Sequence, residues 1–282
     1  ANMGDTVKIV KEPDITVSAY TRGTDITKQA LDDGAFTLII DMANYFAFSL
    51  DDVEDALTHV NWMEMASDRA AYKLRDSYDS GVLQYLCGWQ DNSRNTTARG
   101  TKANSSAGTD ELLAANKLDI TDFGGSDLGN TSEVTSIPVS AGGTYTPLAV
   151  LNRMKRIQDQ NNVPAEGRWV VVDPVFVEEL MDESSKFINN DFGSAGDMLR
   201  NGRLGGSVRG FSLYVSNNLP SEGTGAGTVL STGSETNFGV IVAGHSSAVA
   251  TAQRINKVET VRDNDHFADV VRGLHMYGSK IL

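Results

Sequence analysis

The chain of 282 residues is long enough for two domains or one large one, and its 40% hydrophobic and 22% charged residues are ordinary for a globular protein. Its 24 lysines and arginines against 37 aspartates and glutamates give a net charge of −13, which argues against a protein that wraps duplex DNA along a basic face. The single cysteine, Cys87, excludes an internal disulfide and a thiolate zinc site, and no apolar run reaches the roughly 18 residues of a membrane span.

The first 50 residues predict a long two-stranded hairpin. Apolar and polar residues alternate over residues 6–20, and returning strands are predicted at 36–41 and 46–50. The apolar face of this hairpin is weak, and an isolated hairpin is only marginally stable in water. We therefore expect the hairpin to lie against another surface, which is either a second chain or its own domain.

A single long helix is predicted to start near Asp52 and to end near Leu86. Ser49 and Asp52 have the spacing of a capping box, and apolar residues then recur at steps of three and four. At 1.5 Å per residue this helix is about 50 Å long, so it reads as the spine of a domain. The residues expected to pack it are Val53, Leu57, Val60, Met63 and Leu74.

Residues 89–145 are rich in Asn, Ser, Thr, Gly and Asp, which predicts a surface loop or an insertion. Order returns at Thr146, an N-cap residue that precedes a proline at the first helical position. The elements predicted from there are helices starting at Pro147 and Pro174, strands at 168–172, 211–216 and 238–243, a helical patch at 247–254, and closing strands at 258–261 and 270–277. This alternation predicts a mixed central sheet with helices on its faces.

One turn of the sequence is similar to the nucleophile turn of a serine hydrolase. The stretch Gly244–Ala248 follows an apolar strand and precedes the predicted helical patch, which would expose Ser246 as the nucleophile. Ala248 stands where the second glycine of that motif belongs, and little sheet remains downstream to supply an acid and a histidine. We interpret the stretch as a strand-to-helix turn, and a hydrolase that uses Ser246 stays as the alternative from another functional class.

Other motifs of enzymes are missing from the sequence. Neither the phosphate-binding GxxxxGK[ST] pattern nor the dinucleotide-binding GxGxxG pattern occurs. The acidic turn at 263–266 lacks the spaced carboxylates of a calcium loop. The sequence therefore predicts no catalytic residue, no cofactor and no metal site, and it favours a protein that is not an enzyme.

Several stretches occur together in a characteristic order along nearly the whole chain. They are Gly4–Ile9, Val163–Pro174, Arg200–Arg203, Gly210–Phe211, Tyr214–Pro220, Ala243–His245 and Val271–Gly278. In this order they resemble the major capsid proteins of tailed double-stranded DNA bacteriophages, which have the Hong Kong 97-type fold.

The resemblance implies an α+β fold with three parts. These are an extended hairpin loop, a long spine helix in a peripheral domain, and an axial domain whose mixed central sheet is flanked by helices. The expected divisions are the extended loop at 1–50, the spine helix at 51–88, a polar insertion at 89–145, the axial domain at 146–245, and a return to peripheral strands at 246–282.

The resemblance also implies a function. It predicts a structural coat protein that self-assembles as pentamers and hexamers into an icosahedral shell around packaged double-stranded DNA, without sequence-specific binding and without a membrane. The implied partners are other copies of the chain, together with scaffolding, portal and decoration proteins. Such a protein is made in the cytoplasm of the bacterial host and ends in the virion.

A second kind of shell protein is an alternative within this interpretation. An encapsulin-type nanocompartment shell has the same architecture and would hold cargo enzymes in place of DNA.

Three charged residues are candidates for contacts between subunits. Arg22, Asp25 and Lys28 lie near the predicted tip of the hairpin, where opposite charges can pair between subunits. We expect these three residues to contribute contacts of assembly.

Overall fold

The computed structural model divides the chain into two compact units. The first comprises Ala1–Ala56, Val249–Lys280 and Leu282, and the second comprises Leu57–Ala248 and Ile281. The residues described are 6–10, 15–23, 25–26, 28–30, 34–40, 42–52, 62–87, 116, 118, 120–125, 137–140, 142–182, 207–219, 221–222, 238–264 and 266–282.

Strands and helices alternate along the described residues. The strands are β1 (Thr6–Val10), β2 (Ala35–Ile39), β3 (Met42–Asp51), β4 (Arg168–Val172), β5 (Ser207–Val208), β6 (Phe211–Val215), β7 (Ser221–Glu222), β8 (Phe238–Gly239), β9 (Val242–His245), β10 (Val249–Arg262) and β11 (Ala268–Ile281). The helices are α1 (Trp62–Leu86), α2 (Pro147–Gln160) and α3 (Pro174–Met181), with a short 3-10 turn at Ile120–Phe123.

The first unit contains two antiparallel sheets. β1 pairs with β2, and a three-stranded sheet has the order β10-β11-β3 with β11 in the centre. β3 and β11 are paired over ten residues each, from Met42 opposite Tyr277 to Asp51 opposite Ala268. Tyr277 is 1% exposed, so the core of this unit lies on the face of the sheet that carries its side chain.

The second unit is built around the mixed sheet that the sequence predicts. The strand order is β5-β6-β4-β9, in which β4 runs parallel to β6 and antiparallel to β9. Leu151 of α2, Val170 of β4, Leu180 of α3 and Phe211 of β6 are completely buried in one apolar cluster. Burying one such side chain contributes about 1.5–3 kcal/mol, so this cluster holds helices and sheet together.

The predicted starts of the two helices in this unit are confirmed. Thr146 precedes α2, and its hydroxyl oxygen accepts a hydrogen bond of 3.3 Å from the Ala149 amide. Pro147 and Pro174 both stand at a first helical position, where the missing amide hydrogen costs nothing. Asp173 precedes α3, and burial raises the pKa of its carboxyl.

The long helix ends at Leu86 as predicted, and α1 is described from Trp62. Met63 and Leu74 are half-buried, whereas Val53, Leu57 and Val60 lie outside the described residues. The deepest burial lies at the C-terminal end of the helix, at Gly81, Tyr85 and Leu86. The proposed packing role of the five residues stays a prediction.

The helical patch predicted at 247–254 is wrong. Residues 249–254 begin the 14-residue strand β10. Alanine-rich sequence favours a helix locally, but hydrogen bonding along β11 outweighs a helix preference of a few tenths of a kcal/mol per residue. Residues 15–20, whose alternation continues that of β1, belong to none of the strands in the described part of the chain.

Candidate assembly surfaces

The root of the hairpin is anchored in the first unit. β1 and β2 pair in register from Thr6 opposite Ile39 to Val10 opposite Ala35. Leu38 is 1% exposed and Ile40 is 8% exposed, so the return strand enters the core at this end. The root therefore has the burial that an isolated hairpin lacks.

Beyond its root the hairpin exposes large apolar side chains. Ile15, Val17, Tyr20 and Ile26 are between 66% and 93% exposed. The Thr16 amide donates a 3.0 Å hydrogen bond to Oε1 of Gln29, which links the outgoing and returning segments of the hairpin at this point. Several large apolar side chains exposed close together in sequence are typical of a site of interaction. We call the part of the hairpin from residue 15 to residue 30 the hairpin arm.

The three charged residues predicted to make contacts lie on the hairpin arm. Arg22, Asp25 and Lys28 are all exposed, and none of them makes an ion pair within the described residues. Gly23 follows Arg22 with a φ of 90°, a left-handed conformation that glycine adopts without strain and that reverses the chain here. The geometry leaves these charges available to a partner.

Strand β10 is the second surface that the chain leaves uncovered. It forms one edge of its sheet, so one row of its backbone groups has no strand partner in the described part of the chain. Val258 is 58% exposed and Val261 is 42% exposed, although side chains three residues apart on a strand point to opposite faces. Among the described residues, none covers β10 on either face at these two positions.

A cluster of charged residues links the three strands of the sheet β10-β11-β3 at the end that contains Arg262. Both terminal guanidinium nitrogens of Arg262 on β10 donate to the Asp52 carboxylate, with 2.7 Å between Nη1 and Oδ1. Nη1 also donates to Oδ1 of Asp269 at 3.1 Å. The guanidinium lowers the pKa of the Asp52 carboxyl, and the two carboxylates raise the pKa of Arg262. The Asp52 amide also donates to the Phe267 carbonyl at 3.0 Å. The strand ends are therefore fixed relative to one another.

A second pair of charges crosses between β10 and β11. Nη2 of Arg272 lies 3.1 Å from Oε2 of Glu259, and Lys257 pairs with the same carboxylate. The two cations lower the pKa of Glu259, mostly through the hydrogen bond from Lys257. The cations are largely exposed and the carboxylate is partly exposed, so water screens both pairs and they contribute little to stability.

In the second unit, residues 216–219, which follow β6, are hydrogen-bonded to α1. The Asn218 side chain donates a 2.9 Å hydrogen bond to Oδ1 of Asp76, and the Asn218 amide donates to Oγ of Ser216 at 3.2 Å. The bond from Asn218, with a smaller effect from Lys73, lowers the pKa of Asp76. Leu219 is buried beside them. Within the stretch of residues 216–219, Asn218 therefore links the chain after β6 to α1.

Arg168, the first residue of β4, is buried, and its side chain binds the turn between α2 and β4. Its side chain is 4% exposed and donates to the Pro164 carbonyl at 2.8 Å, to the Val163 carbonyl at 2.5 Å and to Asp159 at 2.7 Å. A buried guanidinium needs such partners because an unpaired one is costly. Sequence reasoning missed this role, since an arginine that opens a strand gives no periodic signal.

Ser246 lacks the surroundings of a nucleophile. Nε2 of His245 donates to the Glu166 carbonyl at 2.8 Å, and Nδ1 of His245 accepts from the Ser247 amide at 3.2 Å. His245 is therefore engaged with Glu166 and Ser247, and no residue in the described part of the chain forms a hydrogen bond to the Ser246 hydroxyl. A serine hydrolase needs a base within hydrogen-bond reach of its nucleophile. The geometry favours a structural turn.

The described residues show neither a metal site nor a membrane span. No group of three or more His, Cys, Asp or Glu side chains there could hold a metal ion. None of the helices described is both long enough and apolar enough to cross a membrane. The exposed hairpin arm and the β10 edge remain the two candidate surfaces.

Comparison with solved structures identifies the fold. The chain matches a chain of Mycobacterium phage Che8 with a TM-score of 0.65 and 22% identity, covering 99% of this chain and 81% of the other. It matches the capsid of Cyanophage P-SCSP1u with a TM-score of 0.64 and 20% identity, covering 99% and 81%. It matches the capsid of Ralstonia phage GP4 with a TM-score of 0.63 and 16% identity, covering 100% and 80%.

Sequence comparisons add no relative. No protein-family model matches the chain, and no curated protein sequence matches it. The α+β fold predicted from the sequence is confirmed, because the chain has the Hong Kong 97-type fold of the capsid structures of Cyanophage P-SCSP1u and Ralstonia phage GP4.

Proposed function

We propose that the chain is the major capsid protein of a tailed bacteriophage, a subunit that assembles into a closed shell. The observation that carries this proposal is the fold shared with phage capsids over 99% of the chain. The chain's own exposed surfaces supply a physical reason for assembly. The shell would be built from pentamers and hexamers of this subunit, and it would reside in the virion after synthesis in the host cytoplasm.

The hairpin arm supports self-assembly through its burial. Val17 is 93% exposed and Ile26 is 77% exposed in the single chain. Each apolar square ångström removed from water contributes about 25 cal/mol, so covering the arm favours association. The arm carries its apolar residues where its own chain offers no cover, and in a shell a neighbouring subunit covers them.

The charge of the subunit fits enclosure of DNA. With a net charge of −13, the subunit repels a packaged polyanion, so DNA can move past the wall during filling. DNA is then held by confinement and not by sequence-specific contacts. Scaffolding, portal and decoration proteins are the further partners expected of such a shell, and none of these roles requires a catalytic residue.

The test is assembly of the purified chain. We expect closed particles of uniform size by electron microscopy, with scaffolding protein added where the chain alone forms incomplete shells. Hydrogen exchange of residues 15–20 should be fast in free subunits and at least tenfold slower in particles. Shells absent under both conditions, or equal exchange in the two states, would contradict the proposal.

A pair of variants sharpens this test. Val17→Asp places a charge on the hairpin arm, where the free subunit is open to water. The variant subunit should therefore fold normally, but it should assemble poorly. Ser18→Asn changes the neighbouring exposed residue without adding charge and should assemble normally. Normal shells from the Val17→Asp variant would show that the arm is not buried by assembly.

A further inference from the structure

The turn between β5 and β6 holds an arginine in a backbone conformation that suits asparagine or glycine. Val208 pairs with Phe211, so Arg209 and Gly210 form a two-residue hairpin turn. Their φ angles are 54° and 88°, both in the left-handed region, as in a type I′ turn. An arginine is unfavourable at the first of these positions because its Cβ atom crowds the backbone there. Arg209 therefore makes the free subunit less stable than an asparagine at the same position.

Buried residues on both sides hold this turn in place. Val208 is 4% exposed and Phe211 is completely buried in the apolar cluster of the second unit. Arg209 itself is exposed. Residues that the surrounding structure holds in a strained conformation are concentrated at functional sites. The strain at this turn therefore points to a function of the arginine side chain.

A second cation lies beside the turn. Nζ of Lys155 on α2 is 4.0 Å from the position that a Cβ atom on Gly210 would take. Lys155 is half-buried, and it makes no ion pair in the described part of the chain. A cation that is partly removed from water without a counter-ion is unfavourable. We call Lys155 and Arg209 the basic corner, and an anionic group placed against it would compensate this cost.

The last turn of α3 carries the opposite charge. It contains Glu178 and Glu179 and no basic residue. Acidic side chains are unfavourable there, because the C-terminal end of a helix has a partial negative charge. Glu178 is exposed and makes no ion pair with any described residue. This carboxylate therefore gains from a cation that another molecule supplies.

The two charged sites belong to one rigid body. Residues of α2, α3 and β6 pack in the same apolar cluster, so the distance between the basic corner and the α3 end is fixed within a copy. Two different surfaces of one molecule that are complementary to each other produce head-to-tail contacts, and such contacts close into rings where the rotation permits. A phosphate group would compensate the basic corner but leave Glu178 unpaired, whereas a second copy compensates both.

We propose that the basic corner of one copy binds the α3 end of a second copy, with Arg209 against Glu178. This inference rests on the proposed function, because it names the charged groups through which subunits join into rings. A guanidinium binds both oxygens of a carboxylate, which fixes the orientation of the two copies. Lys155 places a second positive charge beside this pair.

Arg209→Asn separates this function from a structural role. Asparagine suits the left-handed turn, so thermal unfolding of the free subunit should shift upward by about 2–4 °C. Loss of the guanidinium should slow assembly about fivefold at low salt, as followed by light scattering. A residue with only a structural role would not combine a more stable subunit with slower assembly. An unchanged or lower unfolding temperature, or assembly at the wild-type rate, would overturn the inference.

An exchange of charges tests the partner. Arg209→Glu and Glu178→Arg should each slow assembly about fivefold at low salt, while circular dichroism shows folded subunits. Every copy carries both positions, so the double variant restores opposite charges at each contact, and its rate should return to within about twofold of the wild type. The control combines Arg209→Glu with Glu166→Arg, another exposed glutamate of the second unit, and should remain slow.

A zero-length crosslink distinguishes contacts between copies from contacts within a chain. Shells are assembled from a mixture of isotope-labelled and unlabelled subunits and treated with a carbodiimide, which joins a lysine amine to a carboxylate in direct contact. We expect a crosslink between Lys155 and Glu178, with mass spectra in which labelled and unlabelled peptides are joined. Crosslinked peptides of one isotopic kind alone would place the contact within a single chain and overturn the inference.

The outcomes separate this inference from the proposed function. Shells that form from the wild type, together with a double variant as slow as the single ones, would overturn the contact and leave the shell proposal standing. Equal rescue by Glu166→Arg would show an effect of net charge alone, which also overturns the contact. Failure of the wild type to form shells, with and without scaffolding protein, would overturn both.

Discussion

The ring of Phe46 occupies the space that a side chain on Gly273 would need. The two residues lie directly opposite each other on β3 and β11, and a Cβ atom built on Gly273 would come within 2.3 Å of Cε1 of Phe46. Phe46 also stacks on Phe48 with a centroid distance of 6.2 Å. An aromatic ring laid over a strand glycine covers backbone that the glycine would otherwise expose.

Gly273→Ala should destabilise the first unit, because the methyl group displaces the Phe46 ring. Overpacking of this kind typically costs about 1–3 kcal/mol in the free energy of unfolding, measured by denaturant titration. The double variant Gly273→Ala with Phe46→Leu should recover part of that loss relative to the sum of the single changes. Strict additivity of the two changes would show that the ring and the glycine do not interact.

Gly278→Ala should be worse and should resist rescue. A Cβ atom there would come within 2.2 Å of the Ile39 carbonyl oxygen, where the backbone passes from β2 to β3. Backbone cannot rotate aside as a side chain can, so the loss should exceed that of Gly273→Ala under the same conditions. Thermal unfolding of the two variants side by side provides the comparison. An equal or smaller shift for Gly278→Ala would contradict the contact.

Arg168→Met should loosen the turn before β4. The substitution keeps an apolar stem but leaves the carbonyls of Val163 and Pro164 without their donor. Each orphaned group costs about 1–3 kcal/mol, so the two together should lower the free energy of unfolding, measured by urea titration, by about 2–6 kcal/mol. Asp159→Asn removes only the half-exposed partner and should cost less than about 1 kcal/mol. Similar losses for both variants would mean that the carbonyl bonds contribute little.

The first unit should lose stability in mild acid through His275. Burial lowers the pKa of this imidazole, which stacks on Tyr277 at 5.4 Å. A lowered folded pKa means that the unfolded chain binds the proton more readily, so the contribution is complete above the unfolded pKa of about 6.5 and is lost as pH falls through it.

His275→Phe keeps the stacked ring and removes the titration. The drop in unfolding midpoint between pH 7.5 and pH 5.0 should therefore be smaller in this variant than in the wild type. Carboxylates titrate in both proteins and cancel in the comparison. An identical drop in the two proteins would exclude His275 as a source of the pH dependence.

Reversing two charges of the hairpin arm, Arg22→Glu with Lys28→Glu, should slow assembly and leave the subunit folded. Exposed pairs contribute only about 0–1 kcal/mol each, but a shell repeats them at every equivalent contact. The delay, followed by light scattering, should shrink at high salt, while circular dichroism of the free subunit stays unchanged. Arg75→Glu with Arg156→Glu makes the same change in net charge on exposed helix positions and should assemble at the normal rate. Equal rates for both double variants would exclude a steering role for the arm.

Local signals predicted the elements whose ends are chemically marked. Thr146 and Pro147 predict the start of α2, because a hydroxyl cap and a proline are both favourable at the first turn of a helix. The strand at 168–172 was predictable from its run of valines, which are buried as on a central strand. The stretches that carried the family resemblance then ordered these elements into the fold.

Other features depend on partners that are remote in sequence. Residues 249–254 form a strand only because β11 lies beside them, and no local property of Ala250 or Ala252 announces that pairing. The Asp52–Arg262 pair joins positions 210 residues apart. Arg22, Asp25 and Lys28 remain predictions, because a contact with a second copy has no counterpart within one chain.

The ten-residue pairing of β3 with β11 has a mechanical consequence. The hairpin runs through β2 directly into β3, so a pull on the arm travels along the axis of β3. Antiparallel hydrogen bonds stand perpendicular to their strands, which places the whole ladder in shear instead of opening it one bond at a time. In the proposed shell, tension between neighbouring subunits would thereby be shared by all ten residue pairs at once, so that the contacts between subunits would stretch before any subunit unfolds.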